Sequence, residues 1–251
     1  MPFKHCDTGM KIVKIGGSLI TDKAEYKKFN RILAEKILSE ISGEKLILVH
    51  GGGSFGHIAS KKYGLPGKIN ETTIRGCSIV KNDMALLNNH IISIMVENGM
   101  NGIGFSPYHL WNGSEFDYKP VVKSFELGQI PVIYGDAYID RDEIKIRSGD
   151  DIMVDLARIF KPESAIFFSD VDGVFDKDPK KYKDAKLIRR FKNESISFAG
   201  IENDVTGGMM KKFHSMIECR EMGVKTYLIN GQYPERIGDL EGEKFVGTEF
   251  V

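Results

Sequence analysis

Residues 45–57, KLILVHGGGSFGH, combine a short apolar run with a glycine-rich turn. Residues 11–18, KIVKIGGS, repeat the same arrangement near the start of the chain. Short runs rich in Ile, Val and Leu are typical of parallel strands that are buried between two helical layers. Glycines at the carboxyl end of a strand let the backbone approach a ligand closely. The two stretches therefore predict a parallel α/β sheet with two ligand-binding turns.

The rest of the chain alternates apolar runs with amphipathic stretches, which is the pattern of strands joined by crossover helices. Predicted strands cover residues 11–14, 45–50, 102–105, 130–134, 164–169 and 225–229. Predicted helices cover residues 31–42, 79–97, 119–127, 151–160 and 208–222. Residues 138–146, YIDRDEIKI, predict a hairpin that interrupts this alternation. The predicted fold class is α/β, a three-layer αβα sandwich around a mostly parallel sheet.

The composition excludes several broad classes of protein. Lys plus Arg and Asp plus Glu both number 35, so net charge gives no reason to expect binding to nucleic acid or to a membrane surface. No apolar run approaches the roughly 18 residues of a membrane span, and the start of the chain lacks a signal-peptide pattern. Cys6, Cys77 and Cys219 are far apart and predict free thiols. We expect a cytoplasmic protein whose residues 1–9 are an extension without function.

Three lysines accompany the glycine turns. Lys14 ends the first predicted strand, Lys23 follows its turn, and Lys212 stands in TGGMMKK at the start of a predicted helix. Backbone N–H groups in a glycine turn, together with nearby ammonium groups, suit phosphate oxygens. Phosphate binding is the favoured interpretation for Lys14, whereas Lys23 and Lys212 taken alone fit a surface role equally well.

The segment SDVDGVFDKDP at residues 169–179 is rich in carboxylates. A calcium loop is excluded because the twelfth position counted from Asp170 is Lys181, where an EF-hand needs Glu. We expect a loop at a strand end in which Asp170, Asp172 and Gly173 hold ribose and base. A solvated acidic turn is the alternative.

GGGSFG also fits the G-x-G-x-x-G template of dinucleotide-binding enzymes. That template expects an acidic residue about 20 positions further on, at the end of the next strand. The nearest candidate, Glu71, lies instead in the polar stretch GKINETTIR. A nicotinamide-dependent oxidoreductase is therefore a remote alternative.

Asp150 and Asp151 begin a predicted helix, and Ser148 stands three residues before Asp151 in a capping-box-like pattern. Acidic residues in the first turn are favourable beside the helix dipole, which accounts for Asp151. We expect Asp150 to project into the site and order the lysines.

Five motifs occur in a fixed order: KIGGS, HGGGSFGH, SGDD, SDVDGVFDKDP and DVTGGMMKK. They resemble those of the amino acid kinase superfamily over nearly the whole chain from Met10. His57 at the end of the second motif, ITDK at residues 20–23 and the closing DVTGG are similar to the isopentenyl phosphate kinase branch. Ser169 stands where Thr is commoner, which is a conservative exchange.

The resemblance implies a single domain over residues 10–251, with acceptor binding in about 10–145 and ATP binding in about 146–251. It implies ATP as phosphoryl donor and Mg²⁺ held mainly by phosphates and water, with no protein ligand. The acceptor would be a small phosphate, isopentenyl phosphate first, and we expect no nucleic acid, no membrane and a homodimer. A fosfomycin-like phosphonate or another phosphate monoester remains an alternative acceptor. A non-catalytic nucleotide-binding regulator is disfavoured because the lysines and His57 are retained.

The resemblance also implies roles for individual residues. Contacts to ATP are implied for Lys14, Gly16, Gly17, Ser18, Gly53, Asp170, Asp172, Gly173, Gly208 and Lys212. Contacts to the acceptor are implied for Gly52, Gly53, His57, Gly149 and Lys23. The implied catalytic residues are Lys14, Lys23, His57, Asp150 and Lys212, with Lys23 stabilising the transition state.

His57 can donate a hydrogen bond to an incoming phosphate near neutral pH. A histidine that only structures the glycine turn is the alternative. A prenyl tail would need an apolar slot, which Met and Ile side chains of residues 79–95 could line. An apolar helical stripe is nevertheless more often part of the core.

Overall fold

The computed structural model describes residues 9–22, 24–43, 45–177, 179, 181–192 and 207–251. Its strands are β1 (Lys11–Ile15), β2 (Leu46–His50), β3 (Gly67–Lys68), β4 (Gly102–Phe105), β5 (Ile130–Tyr134), β6 (Asp136–Asp140), β7 (Glu143–Arg147), β8 (Ser164–Ser169), β9 (Val174–Phe175), β10 (Leu187–Ile188), β11 (Arg190–Phe191), β12 (Lys225–Asn230) and β13 (Thr248–Phe250). Its helices are α1 (Gly17–Ile20), α2 (Arg31–Glu40), α3 (Gly53–Lys62), α4 (Glu71–Glu97), α5 (Pro107–Leu110), α6 (Lys119–Glu126), α7 (Gly149–Phe160), α8 (Gly207–Glu221) and a 3₁₀ helix, Pro234–Asp239.

The main sheet among the described residues has eight strands in the order β11–β13–β12–β8–β1–β2–β5–β4. All neighbours are parallel except β12 and β13. At the centre, Ile15 of β1 is paired with His50 of β2 and with Phe168 of β8. The carboxyl ends of the central strands therefore lie along one edge, where open α/β sheets bind their ligands.

Two apolar cores cover the two faces of this sheet. Val13 and Ile15 of β1 belong to the core beneath α2, α3 and α4, whereas Ile12 belongs to the core beneath α6, α7 and α8. Alternate residues of a strand point to opposite faces, so both faces of β1 are buried. This arrangement confirms the predicted αβα sandwich with a mostly parallel sheet.

The six predicted strands are confirmed, and so is the hairpin, which is formed by β6 and β7. β3 pairs with the outer side of β7 and makes a separate three-stranded sheet. Gly99 and Gly223, predicted to end helices, have φ angles of +74° and +84°. Within the described ranges, no helix is long and apolar enough to cross a membrane.

The predicted start of α4 at residue 79 is wrong, because the helix begins at Glu71. Asn70 caps it: the Asn70 side chain accepts from Thr73 N, and the Thr73 hydroxyl accepts from Asn70 N. Reciprocal bonds of this kind satisfy helix donors that would otherwise have no partner. The second half of the polar stretch, from Glu71 onward, is therefore part of the first two turns of a helix, and Gly67–Lys68 at its start form β3.

The interpretation of GGGSFGH as a loop that ends at His57 is also wrong. Gly53 begins α3, which continues to Lys62. Glycine is unfavourable in helix interiors, so four glycines within six residues make helix propensity too low here to predict a helix. His57 consequently lies in the second turn of a helix.

Candidate functional site

The glycine turns are fixed to the sheet edge by hydrogen bonds that continue the strand pairing. Gly16 N donates to Phe168 O (3.0 Å), Gly51 N to Ile15 O (3.0 Å), and Gly231 N to Ser169 O (2.8 Å). Each turn thus begins in register with the strand beside it. The turns after β1, β2 and β12 are placed side by side with the end of β8.

The turns after β1 and β2 are in direct contact. A Cβ atom on Gly17 would lie 2.2 Å from Gly53 N, and one on Gly51 would lie 2.8 Å from Gly17 N. Real Cβ atoms do not approach backbone so closely, because packed atoms exclude one another. Glycine at these positions is therefore required by the contact between the turns, a reason that neither motif reveals by itself.

Several polar groups at these turns are not used within the described part of the chain. The N–H groups of Gly17, Ser18, Gly52 and Gly53 have no hydrogen-bond partner among the described residues. The buried Ser54 hydroxyl also lacks one there. Buried polar groups in folded proteins are nearly always paired, so unused donors indicate a place for an anionic ligand.

Lys14 is held by an ion pair with Asp150. The Lys14 side chain is 6% exposed and that of Asp150 is 14% exposed, and their Nζ and Oδ1 atoms are 2.8 Å apart. A Cβ atom on Gly149 would lie 3.0 Å from Lys14 Cε, so glycine there leaves room for the lysine stem. The structure thus brings together Lys14, Gly149 and Asp150, and the expected contact of Asp150 with a lysine is confirmed.

The second turn of α8 contacts the first turn of α7 and the end of β8. Lys212 Nζ is 2.8 Å from Ser169 Oγ, and Lys211 Nζ is 2.8 Å from Asp151 Oδ2. The predicted capping box of Ser148 and Asp151 is confirmed, so Asp151 serves the helix start. Gly208 is the second residue of α8. Lys212 is therefore placed at the same sheet edge as Lys14.

The acidic loop after β8 is fastened to the C-terminal part of the chain. Asp172 Oδ1 accepts from Asn230 Nδ2 (3.2 Å) and from Arg236 Nη1 (2.5 Å). A Cβ atom on Gly173 would lie 2.5 Å from Thr248 Oγ1. Asp172 and Gly173 therefore have structural reasons for their identity, and their contact with nucleotide, like that of Asp170, stays a prediction.

His57 is exposed on α3, and no hydrogen bond of its ring is found within the described ranges. Lys23 lies outside the described residues, as do Cys6 and Asp178. Two described residues further along, Tyr26 and Lys27, contact α4. The Tyr26 hydroxyl donates to Asp83 of α4, and Lys27 Nζ is 2.5 Å from Asp83 Oδ1.

The apolar face of α4 forms core. Met84, Leu87, Ile91, Ile94 and Met95 are all at most 1% exposed. Met84 also meets the second turn, because a Cβ atom on Gly52 or Gly56 would lie about 3 Å from its sulfur. The structure therefore supports the core interpretation for these five residues.

His50, which directly precedes the second turn, is fully buried. Its ring nitrogens face Gly51 O (3.1 Å) and Asn88 Oδ1 (3.4 Å), and the ring stacks on Tyr134. Burial lowers the pKa of His50 from 6.5 to about 4, against a smaller opposite effect of the two hydrogen bonds. His50 is consequently neutral at physiological pH.

This lowered pKa predicts acid sensitivity. Between pH 6.5 and about 4 the unfolded chain binds a proton at His50 that the folded chain does not. The free energy of unfolding should therefore fall as the pH drops through that window, by up to about 3 kcal/mol. Urea unfolding at several pH values checks this, and His50→Gln should flatten the curve. If the free energy of unfolding of His50→Gln and of wild type fell in parallel with pH, the expectation would be contradicted. His109→Gln, at an exposed position on α5, is the control.

Two residues of the site have no role in the sequence-based interpretation. Ser169, the last residue of β8, meets Lys212, and its position before DVDG could have indicated this. Thr21 bonds with both glycine turns, but its partners are Gly17 and Ser54, and the second is 33 residues away. No local pattern marks such a contact.

Two facing glycine turns, unused N–H donors and two lysines at the carboxyl edge of a parallel sheet define a phosphate-binding α/β protein. The model of the amino acid kinase family matches residues 9–230. The isopentenyl phosphate kinase of Thermoplasma acidophilum is 47% identical over 95% of this chain and 99% of its own length. That of Methanothermobacter thermautotrophicus is 34% identical, over 96% and 99%.

A crystal structure of the T. acidophilum isopentenyl phosphate kinase in a product complex superposes with a TM-score of 0.87. It shares 43% identity and covers 96% of this chain and all of its own. The chain therefore belongs to the amino acid kinase family and, within it, to the isopentenyl phosphate kinases.

Proposed function

We propose that the chain transfers the γ-phosphoryl group of ATP to isopentenyl phosphate, giving isopentenyl diphosphate and ADP. We infer phosphotransfer chiefly from one observation: two turns that have unused N–H donors are in contact with each other beside Lys14. It suits a reaction in which two phosphate groups must meet. The acceptor follows from the 47% identity to an isopentenyl phosphate kinase over nearly the whole chain. Such a reaction would serve isoprenoid biosynthesis by an alternative mevalonate route.

In this proposal ATP binds mainly to about residues 146–251 and the acceptor mainly to about residues 10–145, and the turn after β1 also contacts the phosphates of ATP. The N–H groups of Gly17 and Ser18 donate to the transferred phosphates, and Gly16 contacts ATP while its own N–H holds the turn to Phe168 O. Lys14 and Lys212 neutralise the phosphate charge. Gly52, Gly53 and His57 bind the acceptor phosphate. The contact between the turns after β1 and β2 supports the assignment of one turn to each substrate, because it brings their unused N–H groups together.

The reaction requires positioning and charge stabilisation more than covalent help from the protein. An oxygen of the acceptor phosphate forms a bond to the γ-phosphorus while the bond from that phosphorus to the bridging oxygen breaks, and ADP leaves with that electron pair. The acceptor needs no general base, because the second pKa of a phosphate monoester is about 6. Asp150 keeps Lys14 in place beside the transferred group.

Mg²⁺ supplies further neutralisation of the ATP phosphates when it is bound. Within the described ranges, no three His, Cys, Asp or Glu side chains come together as a metal site. In this proposal the ion would be held mainly by phosphate oxygens and water. We propose no protein ligand for it.

Lys23 stabilises the transition state in this proposal. We also propose that the protein works in the cytoplasm as a homodimer. A related phosphonate such as fosfomycin is the alternative acceptor. The oxidoreductase alternative has no support in a chain of the amino acid kinase family.

The deciding experiment measures ADP release by the purified protein with a panel of acceptors. The panel contains isopentenyl phosphate, dimethylallyl phosphate, fosfomycin, phosphomevalonate, UMP and acetylglutamate. We expect isopentenyl phosphate to give the highest kcat/KM. Turnover of another compound with none of isopentenyl phosphate would refute the proposed acceptor, and no ADP release at all would refute the kinase.

His57→Ala tests the acceptor side of the site. Losing a hydrogen bond to a charged phosphate should raise the acceptor KM or lower kcat by at least about tenfold. ATP affinity should stay nearly unchanged, since His57 lies on α3 beyond the second turn. Steady-state kinetics with both substrates varied checks this, and His57→Gln, which keeps a donor, should lose less. Wild-type kinetics in His57→Ala would remove His57 from the site.

A further inference from the structure

The Thr21 hydroxyl lies between the two glycine turns and is bonded to both. It donates to Gly17 O in the first turn (2.8 Å) and accepts from Ser54 N in the second (2.9 Å). Thr21 is 3% exposed, so water does not compete for these bonds. One side chain therefore joins the turn assigned to ATP to the turn assigned to the acceptor.

This bond also supplies a cap that α3 lacks. The N-cap residue of α3 is Gly52, which has no side chain to cap the helix. Phe55 N and Gly56 N both use Gly52 O (3.1 and 3.2 Å). The Thr21 hydroxyl accepts from Ser54 N in the first turn of α3, which is the bond that the side chain of an N-cap Ser or Thr would make. Gly52 N and Gly53 N are the donors that remain for a ligand.

The packing around this hydroxyl is close. Gly53 has a φ of +48°, and a Cβ atom there would lie 2.0 Å from Thr21 Oγ1 and 2.5 Å from Gly17 O. Thr21 is itself fixed, because its N–H donates to Gly17 O (3.0 Å). The distance between the turns is therefore set by Thr21 together with two glycines.

We infer that Thr21 is a positioning residue that fixes the separation of the two phosphate-binding turns, an inference that rests on the proposed function. In-line transfer needs the reacting atoms about 3–3.5 Å apart, and a displacement of about 1 Å can cost roughly 100-fold in rate. Each turn keeps its own N–H donors when the hydroxyl is lost. The loss should therefore appear in kcat rather than in the binding of either substrate.

The test compares Thr21→Val, which keeps the shape without the hydroxyl, with Thr21→Ser, which keeps the hydroxyl. Thr21→Val should lower kcat by about 30-fold or more, with the Kd values of ATP and acceptor within about threefold of wild type. Thr21→Ser should recover kcat to within about threefold of wild type. If Thr21→Val does not fold, Thr21→Ala, which only adds space, carries the same expectation.

Thr226→Val is the matched control. Thr226 is fully buried, and its hydroxyl donates to Val224 O (2.9 Å) at the start of β12, the opposite end of the sheet from the site. It should lose stability with kcat unchanged. An equal fall of kcat in Thr226→Val and Thr21→Val would show that general destabilisation explains both.

Amide hydrogen exchange at Ser54 tests the bond from Ser54 N to the Thr21 hydroxyl without any turnover. Exchange should be about fivefold faster in Thr21→Val and close to wild type in Thr21→Ser. If the wild-type protein does not phosphorylate isopentenyl phosphate, the proposed function fails. The role of Thr21 is then still decided by the exchange rate at Ser54 and by kcat with any other compound that the protein accepts. Three results would overturn the inference. The first is a kcat of Thr21→Val within about threefold of wild type. The others are a Thr21→Ser variant whose kcat is as low as that of Thr21→Val, and a Thr21→Val variant in which only the Kd of a substrate changes.

Discussion

Replacing Lys14 by Met should lower kcat by about 10²- to 10³-fold, the usual effect of removing one preorganised group that stabilises developing charge. The Lys14 ammonium is buried at the sheet edge, beside the first glycine turn. Asp150 and the space above Gly149 hold the Lys14 ammonium in this position. Steady-state ADP release with isopentenyl phosphate measures the loss.

Lys14→Met should also cost stability, because the Asp150 carboxylate would remain largely buried without its partner. Breaking a buried ion pair on one side typically costs about 3 kcal/mol. The double variant Lys14→Met with Asp150→Asn removes the uncompensated charge, so it should regain most of that stability while staying inactive. Urea unfolding of the single and double variants separates the two effects.

This cycle has two informative failures. A kcat of Lys14→Met within about fivefold of wild type would exclude a direct role of Lys14 in phosphoryl transfer. A double variant no more stable than Lys14→Met alone would show that Asp150 is not the group left unpaired. Asp150→Asn by itself should fold and keep part of the activity, because its amide oxygen can still accept from Lys14.

Gly17→Ala should reduce activity by at least about 100-fold and stability by about 3 kcal/mol. The added methyl group would lie 2.2 Å from Gly53 N and 2.8 Å from Gly53 Cα. Both are backbone atoms, so no rotamer change can relieve the contact and the turns must separate. Activity assays and urea unfolding measure the two losses.

Gly238→Ala is the matched control for this substitution. Gly238 lies in the 3₁₀ helix, and a Cβ atom there would meet nothing within 4 Å. Its activity and stability should stay close to wild type. If Gly17→Ala behaved like Gly238→Ala, the two turns would not be in the contact described here.

The architecture was largely predictable from the sequence because it follows from local patterns. Buried parallel strands need short apolar runs, and glycine turns must follow them where ligands bind, so β1, β2 and β8 could be read directly. The extent of α4 could not be predicted in this way, because its start depends on hydrogen bonds between Asn70 and Thr73 in a stretch without apolar periodicity. Helix α3 was missed for the opposite reason, since its glycines argue against the helix that tertiary contacts impose.

Local patterns in the sequence predict the strands of the sheet, the two glycine turns, the lysines and the order of the motifs, because each depends on neighbouring residues or on a pattern with fixed spacing. The contact of Lys14 with Asp150, 136 residues away, and the bonds of Thr21 to both turns are visible only in the folded chain. Contacts between distant segments depend on how whole helices and strands pack, and no local periodicity records them. The glycines show this difference well: the sequence predicts that the turns exist, and their packing explains why Gly17 and Gly53 must be glycine.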